Sequence, residues 1–562
     1  MKKYSLVFFY VFSLCSFSAF SNPIPNSDSA SNCHGLINFF ETATAMTDQV
    51  ARIEKYFPNG IAYPTQQSEV QEIVEFANKH NLKLSIKTGG FSQGGQWAIT
   101  NGIVLDLSNY KGIKINNIEG TVTAKVGSTW KEIQALANAE DFALTVQQSS
   151  NIFNPGGALG MNIHGRDIQY GAIINVTNWI DVLLPDGQII RATKNNEYAT
   201  LFKKVIGGLG LRGVILQANF QLRPNKIYET IILRDIPSHQ IAHVFDLMRS
   251  NPKKLKKYIS QEDLGKITTD FATLKSSQIG MGYGRAHNLN PTKPGYLDKA
   301  LFYMFVEVAK NKISPDAQTT LKTKKRTIEY FMPLLMELQR WSHSVKDMRE
   351  WLEKKFMRGS GRQSSLNYLM DPPVDFLLFK QKEEVNNIST KVLNFFKKTM
   401  RRIFNVPVAS TDVLKEYFIP LRNVEQFKKS LVKVIQKYNL NNLNITYRIV
   451  PKTPAALAPL INYAKEDTVA FVINFNVGLA ARERAQLDVW SEELVQAAIK
   501  AEGMHYLAYE PNATLEQFLT AYPGFIEIFD EMIAENSTLF MNEYIRSYFS
   551  EYLLNPSKFK VR

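Results

Sequence analysis

Runs of glycine are the first chemistry this chain offers, because they leave backbone amides bare. Segment 86–96 reads Ile-Lys-Thr-Gly-Gly-Phe-Ser-Gln-Gly-Gly-Gln. Its glycines Gly89, Gly90, Gly94 and Gly95 can take φ > 0 and turn N–H groups onto an anion. A second run, 154–166, sets Gly156, Gly157, Gly160 and Gly165 around Asn162 and His164. A third, 207–215, holds Gly207, Gly208, Gly210 and Gly213. One such run would be a turn. Three of them, none with a cluster of metal ligands, point to backbone cradling of a large anionic cofactor.

Context excludes two phosphate motifs. The first run has no Gly-Lys-Ser/Thr and leads toward a strand, so it is not a P-loop. Gly208, Gly210 and Gly213 satisfy G-x-G-x-x-G, with Asp235 downstream where a ribose-binding acid would sit. That fingerprint needs a strand before it and a helix after it. Here a helix-like segment 198–205 precedes and an apolar strand-like segment 214–220 follows. The order is reversed, and no helix N-terminus is left for a pyrophosphate. The eight histidines form no Cys/His cluster, so no metal site is expected.

The elements that must position these runs alternate from residue 63 to 224. Segments 82–86 and 102–107 read as strands flanking the first run. Val70, Ile73, Val74 and Ala77 share one helical face. Segment 121–126 alternates as a strand, and Ser128-Thr129 caps a helix over 130–137. Segment 176–184 is apolar and β-rich, and Pro185-Asp186-Gly187 turns it into a returning strand over 188–192. Residues 225–410 are more basic and more helical, with amphipathic helices over 331–351. Strands return at 417–420, 444–450 and 469–475, with a helix near 425–437. The last sixty residues read as helical.

A chain of 562 residues, 45% of them hydrophobic, has room for two or three domains with sizeable cores. Lys2 and Lys3 precede an apolar stretch of 17 residues, 4–20, closed by Ser18-Ala19-Phe20-Ser21. This reads as a Sec-type signal peptide, exporting the chain to the periplasm or beyond, with an uncleaved anchor as the alternative. Cys15 lies in that segment and leaves Cys33 without an intramolecular partner. The formal charge is +14, or +12 once Lys2 and Lys3 are removed. It gathers at 253–257, 322–326 and 397–402. These runs read either as solvated helix faces or as peripheral contact with an anionic membrane. They lack interleaved stacking aromatics, so no nucleic-acid partner is expected.

The three glycine runs, in this order and spacing, resemble the flavin-binding domain of the vanillyl-alcohol oxidase family, the PCMH-type FAD-binding domain. Ser92-Gln-Gly-Gly-Gln96 resembles the aldonolactone and polyol oxidases. Gly156-Gly-Ala158, Asn162-Ile-His-Gly165 and Gly207-Gly-Leu-Gly210 resemble decaprenylphosphoryl-ribose oxidase-like proteins. The likeness covers 60–224 and resumes at 416–420, 506–509, 522–523 and 539–542. It implies an α+β fold: a two-subdomain PCMH-type FAD-binding domain plus an α/β substrate (cap) domain with an antiparallel sheet. The implied boundaries are a leader over 22–55, the FAD domain over 56–224, the cap over 225–500, and a segment 501–562 that returns to the FAD domain.

By that resemblance Lys87, Thr88, Gly89, Gly90, Phe91, Ser92, Gln93, Gly94 and Gln96 wrap the FAD pyrophosphate. Gly156, Gly157, Gly160, Asn162, His164 and Gly165 line its middle and approach the ring, and Gly213, Val214 and Ile215 meet the adenine end. Relatives often carry a flavin-linking histidine just before the Ser-x-Gly-Gly. Phe91 stands there instead, which implies non-covalent FAD. Glu416, Tyr447, Arg448 and Tyr509 fall where the family places polar groups over the flavin. Tyr509 stands where relatives often present a lysine, which leaves Glu416 as the candidate base, with Arg448 stabilising negative charge on reduced flavin or a substrate oxygen and His164 either a ring-proximal donor to flavin or substrate or a brace of its loop. Glu510, one residue on, would point to the opposite face of a strand. The implied activity is oxidation of a CH–OH group of a sugar lactone, polyol or related alcohol, with oxygen or a membrane carrier as electron acceptor. A flavin-binding protein without turnover, acting through its basic cap, is the alternative.

Overall fold

The computed structural model describes residues 54–317, 319, 339–340, 342–356, 359–370, 410–535 and 537–559, with 40–42 and Met46. The expected signal segment, most of the leader, the start of the helices expected from 331, and the basic runs at 322–326 and 397–402 lie outside the described residues.

Three sheets organise the described residues. The first orders β1 (Phe40–Thr42), β2 (Gly60–Ala62), β4 (Ile103–Asp106) and β3 (Leu84–Lys87). β2, β4 and β3 run parallel, so a crossover helix must cover them. That helix is α1 (Gln67–Lys79). Its Val70, Ile73, Val74 and Ala77 are fully buried, the valines and the isoleucine each contributing about 1.5–3 kcal/mol. Glu69 fixes its start by accepting from the backbone N–H groups of Thr65 (2.7 Å) and Gln66 (3.0 Å).

The second sheet is antiparallel. It orders β5 (Ile113–Asn116), β6 (Thr121–Lys125), β10 (Val214–Pro224), β8 (Thr177–Leu183) and β9 (Ile189–Thr193), with β7 (Phe142–Leu144) also on β10. Between its strands lie α2 (Trp130–Ala139), α3 (Pro155–Gly160) and α4 (Ala199–Val205). Thr129 and Glu132 cap α2 reciprocally. Asn154 precedes α3 and donates to the carbonyls of Gly127 (2.8 Å) and Ser128 (3.2 Å). This fastens the second glycine run to the strand–helix joint of β6 and α2.

The third sheet has eight antiparallel strands. Their order is β14 (Gln363–Ser365), β11 (Ile227–Pro237), β13 (Lys299–Glu307), β12 (Ile279–His287), β16 (Asn441–Val450), β17 (Thr468–Gly478), β15 (Ser410–Pro420) and β18 (Met504–His505). Helices α5 (Ile241–Ser250), α6 (Val424–Lys437) and α7 (Ala481–Lys500) pack on one face. The period of two along each strand puts Ile445, Tyr447 and Ile449 on that covered face. Asn444, Thr446 and Arg448 go to the other face, which looks onto the first two sheets.

The chain then runs through α8 (Leu515–Ala521), α9 (Gly524–Ala534) and α10 (Glu543–Leu554). Just before α10 it crosses back to the first sheet: Leu84 donates to the Leu539 carbonyl at 2.7 Å and Met541 to that of Leu84 at 2.8 Å. Among the described residues no helix is long and apolar enough to cross a membrane.

Candidate functional site

A cleft with about 2000 Å³ of empty space, counting its open mouth, separates the glycine runs from the bare face of the third sheet. Its two walls are built differently.

The first wall is backbone. Strand β3 ends at Lys87 and releases the loop 88–96. Gly90 has φ +66°, a conformation that a β-carbon disfavours. The amide of Gly157 is met by Thr88 Oγ1 at 3.2 Å, which joins the first run to the second. The approach leaves no room on Gly156, where a β-carbon would lie 2.7 Å from Thr88 Cγ2. Phe91 stacks edge-on against Phe153, centroids 4.8 Å apart. Gly160, Gly210, Gly213 and Ile215 complete the wall.

Several residues expected to touch the cofactor also fasten the fold. Lys87 turns away and pairs with buried Asp106. Gln93 donates its backbone N–H to Ala508 (3.0 Å) and accepts from Leu414 N–H at 3.2 Å. Gln96 Nε2 donates to the carbonyls of Leu507 (2.6 Å) and Tyr509 (3.0 Å), and its Oε1 accepts from Gly94 N–H at 2.9 Å. The loop is thereby tied to strand β15 and to residues 507–509, while Thr88, Gly89, Gly90, Phe91, Ser92, Gln93 and Gln96 all line the cleft. Asn162, at φ +44°, donates to the Ile461 carbonyl at 2.9 Å and fixes the turn before His164. Gly165 is required by the Gln147 carbonyl, 2.6 Å from where its β-carbon would sit. Val214 is fully buried in the sheet, pairing with Leu183.

The second wall is side chain. The register aligns Arg285, Thr446, Val472 and Glu416 in one row across β12, β16, β17 and β15. A neighbouring row holds Asn444, Asn474 and Leu414, and another begins with Tyr283 and Arg448. Sequence reasoning placed Tyr447 over the flavin. It lies on the opposite face, fully buried, edge-on to Phe471 at 5.1 Å, because the pleat cannot present both 447 and 448 to the cleft. Tyr283, Arg285, Asn444, Thr446 and Asn474 were missed. A signal for them exists in the alternation Asn444-x-Thr446-x-Arg448 and in Gly282 and Gly284 around Tyr283.

Glu416 and His164 meet at the edge of this floor, both 4% exposed. His164 Nε2 lies 2.7 Å from Glu416 Oε1, and Nδ1 lies 3.1 Å from the Gly165 carbonyl oxygen. A carbonyl can only accept, so Nδ1 carries a hydrogen. The short contact on Nε2 joins the ring directly to the carboxyl group. Tyr509 O–H donates to the other carboxyl oxygen, Oε2, at 3.1 Å. Burial, then the Glu416 charge, push the Tyr509 phenol well above its ordinary range, so it stays a donor. Glu510, one residue on, faces away and pairs with Lys415 at 2.7 Å. Arg448 Nη2 donates to Ser149 Oγ at 2.7 Å, beside the second glycine run. No group of three or more acidic, histidine or cysteine side chains suited to a metal occurs among the described residues.

Two linked glycine runs whose backbone lines the cleft, a wall with room on Gly157 and Gly160, and an aromatic pair beside them suit a dinucleotide with a flat ring system. Comparison with known proteins agrees. Residues 58–193 match the FAD binding domain family. The chain is similar to the D-lactate dehydrogenase of Archaeoglobus fulgidus, 23% identical over 35% of this chain and 50% of that protein. It is similar to cytokinin dehydrogenase 3 of Arabidopsis thaliana, 26% identical over 32% and 35%. It is also similar to the L-gulonolactone oxidase of Mus musculus, 24% identical over 34% and 42%. The chain spans half or less of the length of these curated relatives. It carries a PCMH-type FAD-binding domain, and FAD is its cofactor.

Proposed function

We propose that this protein is an exported FAD-dependent oxidoreductase that oxidises a CH–OH group of a polyol, sugar lactone or related alcohol. The observation that carries this reading is one cleft shared by the glycine cradle and the buried Glu416–His164–Tyr509 cluster. The basic leader and apolar segment support export, and Phe91 supports a non-covalent cofactor. Oxygen or a membrane carrier is the electron acceptor in this reading.

Bound FAD supplies the two-electron acceptor for the hydride that leaves carbon. The chain supplies the proton's destination. As the carbonyl forms, Glu416 takes the hydroxyl proton. Tyr509 and His164 hold its two oxygens in place and stabilise the carboxylate before transfer. Ser149 holds Arg448 on the cradle side, where its charge stabilises negative charge developing on the reduced cofactor or on the substrate oxygen. The walls exclude water from a pair that is already almost wholly buried.

The test is the visible spectrum of the purified protein before and after anaerobic addition of polyols, lactones and hydroxy acids. Yellow protein bleached by at least one donor is the expected result, with flavin released to the supernatant by acid precipitation. Protein that binds flavin but is never reduced would leave a binding function only. Flavin in the acid pellet would show that Phe91 does not preclude covalent attachment elsewhere.

A further inference from the structure

We propose that the face built by Pro252–Tyr258 and Lys310–Ile313 docks the protein peripherally on an anionic phospholipid surface. This is independent of the oxidoreductase reading, which concerns the cleft.

Spacing makes the face. Soon after α5 the chain forms a 3₁₀ helix, Pro252–Tyr258. With three residues per turn, positions i, i+3 and i+6 fall on one side. Pro252 and Leu255 are buried there, and Tyr258 is half-buried, its hydroxyl donating to Gln240 Oε1 at 2.7 Å. Lys253, Lys254, Lys256 and Lys257 fill the other two sides, all exposed. The acids that follow are already taken: Glu262 pairs with Lys266, and Asp263 with Arg234 at 2.6 Å. Among the described residues none of the four lysines pairs with an acid. A merely solvated face is built otherwise on this protein, where exposed Lys111 and Lys437 meet Glu132 and Glu493 at 2.8 Å.

A second segment widens the face. After β13 come Lys310–Lys312 and Ile313, all exposed, the isoleucine 41%. Lys312 Nζ donates to the Thr268 carbonyl at 3.3 Å, which brings it to the loop carrying Asp270. The Ala272 N–H and the Thr273 hydroxyl hold the Asp270 carboxyl below its ordinary range, and the charges of Lys312 and Lys256 add to this. Both lysines therefore stand around one acid, and that acid joins the two segments. A single carboxylate among six exposed lysines leaves the face positive. The charge is local: residues 501–562 hold nine acids against four bases.

The residue types say what the partner is. These two segments carry lysine and no arginine. Lysine is a hydrated point charge without the planar fork that reads one phosphate bidentately. Tyr258 is turned inward, so it offers no open ring for a base to stack on. Diffuse attraction to a charged sheet is what remains, and Ile313 adds an apolar group that loses its exposure on docking.

The FAD-loaded full-length chain, sedimented with vesicles of phosphatidylcholine alone or mixed with phosphatidylglycerol, tests this at about 50 mM and about 300 mM salt. Binding should favour the anionic vesicles and fall about tenfold or more at the higher salt. Replacing Lys253, Lys254, Lys256 and Lys257 together by glutamine should weaken binding about a hundredfold or more, at about fivefold per lysine. Arginine at the same four positions should keep it. FAD content and melting temperature show whether each variant is folded. If the glutamine variant is not, Lys310→Glu with Lys312→Glu decides, with an expected loss of about tenfold or more. No binding to anionic vesicles, equal binding to neutral and anionic ones, or binding unchanged in the folded variants overturns the proposal. Capture of single-stranded RNA without vesicle binding also overturns it and assigns the face to nucleic acid. Each of these results leaves the oxidoreductase reading standing. Protein that binds anionic vesicles while no donor reduces its flavin would remove that reading and keep this one.

Discussion

The two walls of the cleft reach the same precision by opposite means. The cradle wall presents backbone, held by Thr88 on Gly157 and by Asn154 on Gly127 and Ser128. The floor presents side chains, set by register on four strands. A backbone wall cannot choose among anions by chemistry, but it can fit one shape closely. A side-chain wall can be rewritten one residue at a time. In the proposed reading, cofactor identity resides in the first wall and substrate identity in the second.

If that division is right, the largest single effect belongs to the floor. Glu416→Gln keeps the shape and its contact with Tyr509 but loses the proton acceptor. Its turnover should fall by roughly 10²–10⁴-fold, while FAD content and spectrum stay as in the wild type. Steady-state kinetics with any competent donor, paired with flavin quantitation, checks this. Loss of flavin in Glu416→Gln would show that the floor also holds the cofactor and would dissolve the contrast.

The cradle should show the converse. Gly157 is exposed to the cleft, and a β-carbon there would meet only Thr88 Oγ1, at an ordinary 3.5 Å. It lies inside α3, where valine is no worse than glycine for the helix. Gly157→Val should therefore fold as well as the wild type yet bind FAD about ten- to a hundredfold more weakly, equivalent to roughly 1.4–2.7 kcal/mol. Gly156→Val is the informative companion. Its β-carbon would meet Thr88 Cγ2 at 2.7 Å and Val126 at 3.1 Å, so it should lose stability as well. FAD titration by fluorescence quenching, with melting curves of the apoproteins, separates the two.

The same contrast explains what the sequence discloses. Glycine runs announce a backbone wall because few other demands put Gly89, Gly90, Gly156 and Gly157 together. The α+β fold and the FAD domain are legible from them and from the strand–helix alternation around them. Within the runs, which residues touch ligand is not legible. Lys87 stands in the motif but is spent on Asp106, and Gln93 and Gln96, though at the cleft, also brace the loop on Leu414 and the carbonyls of 507 and 509. The partners of Gln93 and Gln96 lie hundreds of residues away, and only the folded chain brings them near. The floor is harder still. Polar residues alternating along a strand read the same whether they face solvent or substrate, so the alternation around Asn444 does not say which it faces, and Tyr447 was placed on the wrong face. Gly282 and Gly284 hint that β12 is special, since Met248 and Phe302 fill the space their side chains would take.

The smallest expected effect sharpens the comparison through stability. His505, on β18 at the edge of the third sheet, pairs with Tyr417 and lies edge-on to Tyr522 at 5.5 Å. Both its ring nitrogens are buried without a hydrogen-bond partner. Burial, and then the nearby Lys415 charge, lower its pKa from 6.5 to about 3. Lys415 is itself held by Glu510 and Asn512, so the positive charge is fixed in place. Folding keeps the ring neutral, whereas the unfolded chain takes up a proton below 6.5. Between about 3 and 6.5 the unfolded state binds more protons, and stability falls as pH falls. The loss reaches about 1.4 kcal/mol one unit below the unfolded value. Urea melts at pH 7.5 and 5.5 should show that difference in the wild type and a gap smaller by the same amount in His505→Leu. The loosening should appear in hydrogen exchange of β15 and β18 before α1 or β4, because opening of the floor's edge exposes the ring to a proton and opening of the cradle's sheet does not. Uniform loosening of both would mean that the two walls unfold as one unit, despite being built on separate sheets.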